Sequence, residues 1–439
     1  MKILVVSNGY PPRGSFGTEF YTREMVRGLL DRGHEVRVLH PVRDGERPRY
    51  SMDRVTVEGV PVHLLSNAGD PDKGFLSSYV DERVEHRFGE LLEVWRPDLI
   101  HFTYLLWGLS VRLPRVAREA GIPTVLTLTD YGLVCHRGQM FDAHLERCEG
   151  PHPARTCARC IRTPSVYDFG PIERTGRRVV ARLMARVGGL GNVVVDDDLE
   201  EREREVKTTL DGVGHVIAPT EVIARPFRAL GLTKERLSIL PYAFDESPYE
   251  PARTSPVPEV PRLVYFGQFA PHKGVDVLID AVRALEARRG DTAWEVVLYG
   301  GPSVGRHARF GPAMVRRLKG TRCSIGDAFR PGEAPGVLSQ ATALVVPSRW
   351  DENAPLAVLE ARAAGIPVLA SDVEGIACIV EEGVHGGLFE RDDAGSLATL
   401  MERAIDGEFP RSSRPGLPMS LAAHLDRLEA IYAETERSW

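Results

Sequence analysis

Two series of short apolar runs, each run followed by a helical pattern, flank a proline-rich stretch, and this alternation restricts the possible folds more than any other feature of the chain. Residues 2–6 (KILVV) read as a buried strand ending at Ser7-Asn8-Gly9. From Thr18 onward, Phe20, Met25, Leu29 and Leu30 share a helical face, and the pattern stops at Arg32-Gly33. Residues 35–39 form the next strand, so the opening segment is a βαβ unit and implies a parallel sheet. Further strands are expected at 98–102, 123–128, 215–218 and 237–240.

Residues 246–261 contain five prolines and little apolar content, which predicts a linker. A second βα series follows, with strands at 262–267, 295–300, 343–347 and 367–370 and helices at 275–288 and 355–364. The expected fold class is therefore α/β, with two doubly wound Rossmann-like domains facing each other across a cleft. The first spans 1–245 and carries an insertion near 131–210; the second spans 262–415. A C-terminal helix within 416–439, with Leu421, Leu425, Leu428 and Tyr432 on one face, can pack back on the first domain.

The 439 residues are 43% hydrophobic and 26% charged, which excludes wholesale disorder. With 55 basic against 61 acidic side chains, the chain lacks the basic excess of a nucleic-acid binder. No run of 18 apolar residues suggests a membrane span, and the N-terminal apolar run is too short for a signal-peptide core. A cytoplasmic protein is expected, with peripheral contact on the inner face of the membrane as an option discussed below.

The segment with most chemistry runs from Pro347-Ser-Arg-Trp-Asp to Glu352-Asn-Ala-Pro-Leu-Ala-Val-Leu-Glu360. Glu360 should lie in a helix and Glu352 in the loop before it. Asn353, Ala354, Pro355 and Leu356 would then present free backbone N–H groups, a ready site for a diphosphate. A carboxylate can accept from two sugar hydroxyls at once, which suits ribose and hexose. Taken alone, the pattern would also fit a surface helix with a capping acid.

With this segment in view, the sequence resembles the family 4 retaining glycosyltransferases of GT-B fold. The resemblance rests on the glycine-rich first loop ending at Gly17 and Glu19, Arg32-Gly-His-Glu-Val36, Val216-Ile-Ala-Pro-Thr220, Phe266-Gly-Gln-Phe-Ala-Pro-His-Lys273-Gly274, the glutamate pair and Glu382-Gly-Val-His-Gly-Gly-Leu-Phe389. It implies that Glu360 binds the nucleotide ribose and Glu352 holds hydroxyls of the transferred sugar. It further implies that Lys273 and the backbone of Asn353 to Leu356 contact phosphate or sugar, and that Gly17 lets the first loop approach the donor phosphates. The implied reaction moves a hexose from a nucleoside diphosphate sugar to a hydroxyl acceptor with retention. The acceptor is a polysaccharide, a lipid-linked glycan or a natural product. No catalytic metal is required if Lys273 and a helix N-terminus stabilise the leaving group.

The chain departs from the family pattern in three places. Gln268 stands where arginine is usual, and Thr129-Asp130 where a histidine and an acid are usual. Cys378 stands where glutamate often follows Gly-Ile-X. Asp130 could take the acceptor proton or serve as a turn aspartate; Thr129 offers only a hydroxyl. His101, ending a strand before the cleft, reads equally as catalytic or structural. An epimerase, a phosphorylase or a non-catalytic subunit of a glycan synthase remain as alternatives.

Cys135, Cys148, Cys157 and Cys160 crowd one part of the insertion, the last two as Cys-Ala-Arg-Cys. They could hold a structural zinc, remain free thiols or act in redox chemistry. Residues 173–190 interleave five arginines with Val179, Val180, Leu183, Met184 and Val187. That pattern fits either an amphipathic helix on anionic lipid or a surface helix packed on the first domain.

Overall fold

The computed structural model describes the chain except for residues 13–16, 44, 46, 68–74, 143, 164–193, 195, 303–308, 328–331 and 413–415. The arginine-rich stretch 173–190 thus lies outside the described residues. Two sheets organise the rest.

The first sheet has the order β3-β4-β2-β1-β5-β6-β7-β8. Its strands are β1 (Lys2–Val6), β2 (Glu35–Val42), β3 (Met52–Val57), β4 (Val60–Ser66), β5 (Leu99–Phe102), β6 (Thr124–Thr127), β7 (His215–Ala218) and β8 (Leu237–Ile239). Only the β3–β4 pair is antiparallel. The central strands are apolar on both faces because helices cover both, so Ile3, Leu4, Val5 and Val6 are all fully buried.

The second sheet has the order β11-β10-β9-β12-β13-β14 and is parallel throughout. It comprises β9 (Arg262–Phe266), β10 (Glu295–Tyr299), β11 (Cys323–Ile325), β12 (Ala343–Val346), β13 (Val368–Ser371) and β14 (Gly386–Phe389). The chain reverses direction of winding between β9 and β12, and in the first sheet between β1 and β5. Ligands of doubly wound sheets bind at such switch points, outside the carboxyl ends of the strands.

The last helix, Leu421–Ser438, packs on the first lobe. Leu425 fills the space above Gly28, where any Cβ would meet its Cδ1 at 2.5 Å. Glu429 accepts from His34 at 2.7 Å and also pairs with Arg32. The acidic run beginning at Asp196 keeps its aspartates open to solvent, with Asp197 exposed. It opens a helix, Asp196–Gly212, that buries Leu199, Arg202, Val206 and Leu210. Three aspartates in the first turn suit the positive end of the helix dipole. Among the described residues no helix is long and apolar enough to cross a membrane.

Candidate active site

The loops after β9 and β12 meet at the switch point of the second sheet. Gly274, with φ +68°, ends the first of them. A Cβ there would stand 1.7 Å from the carbonyl oxygen of Pro347, so only glycine lets the two loops touch. Arg349, almost wholly buried, fixes the same junction. It donates to both carboxylate oxygens of Asp276 (2.6 and 2.9 Å), to Asp392 (2.7 Å) and to the carbonyl of Pro271 (2.8 Å). A guanidinium so fully paired is stable without solvent.

The result is a fixed position for Lys273. Its Nζ donates to Glu352 Oε1 at 2.7 Å, stands 5.1 Å from the centre of the Trp350 ring, and keeps part of its surface open. Ser348 Oγ donates to the same Oε1 at 2.6 Å. Glu352 is buried, and both of these bonds are to its charged form. Gly375 comes from the turn after β13, and a Cβ there would fall 1.5 Å from Glu352 O. The backbone of Glu352 is therefore held from behind as well.

Asn353 behaves otherwise than its sequence position suggests. Its side chain points away from the helix start: Nδ2 donates to the carbonyls of Leu128 (3.1 Å) and Thr129 (3.2 Å) in the first lobe, and lies 3.3 Å from Tyr242 Oη. Only its backbone is left for a ligand. Ala354 adopts φ +45°, and Pro355 is extended and caps the helix Leu356–Ala363 without a side-chain hydrogen bond. Among the described residues, no side chain caps the first N–H groups of that helix. Gly17 approaches from the first lobe; a Cβ there would come within 3.3 Å of Leu356 Cδ1. One turn into the helix, Glu360 accepts from Tyr249 Oη at 2.8 Å, and burial raises its carboxyl pKa to about 7 against the weaker opposing effect of that bond. Gln268 sits in the loop after β9, where its own carbonyl accepts from Tyr265 Oη at 2.9 Å.

On the facing lobe, Thr129 Oγ1 donates to the carbonyl of Thr103 at 2.8 Å. Asp130 accepts from the N–H of Gly132 at 2.7 Å. Burial raises the Asp130 pKa to about 6, opposed by that N–H and by Arg202. A carboxylate of this kind can take up a proton near neutral pH.

His101 does not join this group. It is fully buried, with Nδ1 2.6 Å from Tyr432 Oη and Nε2 2.7 Å from Thr127 Oγ1, and burial lowers its pKa to about 3. Both ring nitrogens are used in tying β5 to β6 and to the C-terminal helix. Of the two readings of His101, this geometry suits the structural one.

The four cysteines share a neighbourhood but not a coordination site. Burial and the neighbouring thiols raise the pKa of Cys148, and that of Cys157 to about 11. The Cys157 thiol faces the carbonyl of His152 at 3.7 Å, and Arg137 Nε donates to Cys160 Sγ at 3.3 Å. Among the described residues, no three His, Cys, Asp or Glu side chains are arranged to hold a metal ion. The zinc expected from the spacing of Cys135, Cys148, Cys157 and Cys160 thus has no support in this geometry. The insertion has a different visible role. Its Arg147 reaches the second lobe, pairing with Asp351 (2.7 Å) and Glu374 (3.3 Å). Arg225 of the first lobe also pairs with Glu374.

Two family models match the chain: a glycosyl transferase 4-like domain over residues 16–187 and glycosyl transferases group 1 over 260–406. The chain belongs to the glycosyltransferases that these two domains define. It is 30% identical over 227 residues to a D-inositol 3-phosphate glycosyltransferase of Nocardia farcinica, an alignment covering 49% of this chain and 50% of that protein. A protein of the same name in Streptomyces scabiei is 33% identical over 168 residues, covering 36% and 35%. The matched part spans about half the length of these curated relatives or less.

Solved structures resemble it over nearly the whole length. Sucrose-phosphate synthase from Thermosynechococcus elongatus superposes with a TM-score of 0.61 at 18% identity, covering 100% of this chain and 96% of that one. The catalytic domain of starch synthase IV from Arabidopsis thaliana, bound to ADP and acarbose, gives 0.60 at 15%, covering 99% of each. Anabaena HepE in complex with UDP and glucose gives 0.57 at 17%, covering 99% and 95%. At these identities the likeness establishes the GT-B fold.

Proposed function

We propose that the chain is a retaining hexosyltransferase that uses a nucleoside diphosphate sugar and a hydroxyl acceptor. The observation that carries this is the Glu352 carboxylate, held by Lys273 and Ser348 beside the uncapped start of the Leu356 helix, with Glu360 one turn further along. That spacing suits a nucleotide sugar laid along the helix start, with ribose at Glu360, diphosphate at the first N–H groups and hexose at Glu352.

In this reading, Glu352 accepts hydrogen bonds from hexose hydroxyls while Lys273 moves between it and the diphosphate. As the glycosidic C–O bond breaks, negative charge collects on the leaving phosphate. The helix N–H groups and Lys273 stabilise it without reorganising. The acceptor hydroxyl enters on the face that the diphosphate leaves, so the anomeric configuration is kept. Asp130, across from Glu352, takes the acceptor proton. Gln268 adds a neutral donor where the family places a charge, so Lys273 carries more of the leaving-group stabilisation. A resident zinc in the cysteine segment forms no part of this reading. Contact with anionic lipid through 173–190 rests on the arginine-rich pattern alone and belongs with a lipid-linked acceptor.

The test is a panel of UDP-, GDP-, ADP- and TDP-sugars, read by thermal shift and by release of nucleoside diphosphate. A ligand at 100 times its dissociation constant adds about 2.7 kcal/mol, well within detection. Stabilisation by one of them, with diphosphate release abolished in Glu352→Gln, is expected. No stabilisation by any would remove the proposal, and appearance of an isomerised nucleotide sugar in place of free diphosphate would point to epimerase chemistry.

A further inference from the structure

The proline-rich segment between the lobes contributes a side chain to the donor site. Tyr249 is 2% exposed, and its hydroxyl donates to Glu360 Oε1 at 2.8 Å. The segment is clamped beside the Glu360 helix at its far end too, where Arg253 Nε donates to the carbonyl of Ala363 at 2.7 Å. Arg253 is itself held by Glu246 at 3.0 Å. Tyr249 belongs to a row of rings that starts in the first lobe. Its ring centre stands 5.4 Å from that of Phe244, which stands 5.4 Å from that of Phe20, three residues beyond Gly17. Glu24, one turn on from Phe20, accepts from the N–H of Asp245 at 3.3 Å. The segment therefore holds the second glutamate of the pair and is linked, through Phe244 and Asp245 just ahead of it, to the helix that follows the glycine-rich loop.

We infer that Tyr249 is a positioning residue for the donor ribose: by holding Oε1 of Glu360 it fixes the direction in which the carboxylate meets the ribose hydroxyls. The inference rests on the reading of Glu360 as the ribose-binding group. A single phenolic donor leaves Oε2 and the second lone pair of Oε1 to accept from a diol. Without the phenol the carboxylate can rotate about its last torsion, which is soft and has broad wells. It can also protonate more readily, because burial already opposes its charge and the hydrogen bond from Tyr249 favours the charged form. Of the charged groups on the elements packed here, Glu24 on the first-lobe helix acts on Tyr249, Arg253 and Glu246 pair with each other, and Arg362, on the same helix as Glu360, faces Glu246 and Glu381. None of these is changed in the variant below.

The experiment compares wild type with Tyr249→Phe, which keeps the buried ring and removes only the hydroxyl. The probes are UDP, GDP and ADP, each beside its 2′-deoxy and 3′-deoxy forms, titrated by calorimetry between pH 5.5 and 8.5. For the nucleotide that wild type binds best, the variant should bind the ribose form roughly five- to tenfold more weakly, the weight of one hydrogen bond to a charged acceptor. Its preference for ribose over deoxyribose should shrink, and the pH at which affinity is lost should move upward. A purely structural tyrosine would shift stability while leaving the ribose preference and the pH midpoint alone, and that result overturns the inference. If wild type itself shows no ribose preference, the assignment of Glu360 fails first and takes the inference with it.

Discussion

Lys273 and Glu352 are 79 residues apart in sequence, and Nζ and Oε1 are 2.7 Å apart in space. The ion pair is buried on the carboxylate side and open on the lysine side, so its two ends respond differently to change. Removing the lysine leaves a buried carboxylate whose Oε1 keeps the Ser348 hydroxyl. Removing the carboxylate frees a lysine that can still reach solvent.

Lys273→Met should therefore lower both stability and activity, by about 2–4 kcal/mol in unfolding free energy, because an unpaired buried charge is costly. Glu352→Gln keeps the shape and leaves Lys273 free to swing out. It should cost less than about 1.5 kcal/mol in stability while removing transfer. Chemical denaturation beside a diphosphate-release assay reads both. A larger stability loss in Glu352→Gln than in Lys273→Met would reverse this account of the pair.

The joining of lobes depends on Asn353. Its Nδ2 donates to two carbonyls of the facing lobe, so Asn353→Ala deletes the bonds between the loop before the helix and the loop after β6. Small-angle scattering of the ligand-free variant should show a larger radius of gyration than wild type. The apparent donor affinity should fall about three- to tenfold, the weight of one or two neutral hydrogen bonds. An unchanged radius with unchanged affinity would mean that the ion pairs of Arg147 and Arg225 with Glu374 hold the lobes unaided.

Much of this is legible in the sequence, and the boundary has a physical basis. The fold class follows from strands such as β1 and β12, which are short, apolar and flanked by helices. The glutamate pair and Lys273 were legible because each lies in its own compact motif. Tyr249, Ser348 and the Arg349–Asp276 pair were not singled out, since nothing local distinguishes an aromatic in a proline-rich stretch or an arginine before a tryptophan. Their roles appear only when distant loops meet. His101 stayed open between two roles for the complementary reason: its strand-end position says nothing of Tyr432, 331 residues later, whose hydroxyl meets its ring. The hairpin β3–β4 went unread because β3 is largely exposed and lacks a clear apolar side. β14 went unread because two of its four residues are glycine. The cysteine spacing suggested coordination, whereas the Cys157 thiol meets a backbone carbonyl and the Cys160 sulfur an arginine.

Two half-buried carboxyls set the pH dependence. Asp130, with its pKa raised to about 6, must be unprotonated to accept the acceptor proton, so kcat should rise with pH through about 6. Asp130→Asn should lose that limb along with most of the activity. A wild-type limb that persists unchanged in the variant would assign the titration elsewhere.

Glu360 gives the opposite sign for stability. Its folded pKa of about 7 lies above the ordinary value of 4.5, so the folded, ligand-free protein binds this proton more tightly than the unfolded chain does. The associated stabilisation is complete below pH 4.5 and is lost as pH rises through 7. Glu360→Gln mimics the neutral form, keeps an acceptor for Tyr249, and should raise the melting temperature at pH 8 while leaving it near wild type at pH 4.5. The ceiling is on the order of 3 kcal/mol. The same variant should lose donor affinity above about pH 7, where the wild-type carboxyl is charged, because an amide offers ribose hydroxyls one acceptor oxygen in place of two. Thermal unfolding at the two pH values separates these effects, and equal melting temperatures for variant and wild type at pH 8 would show that burial does not hold this carboxyl in its neutral form.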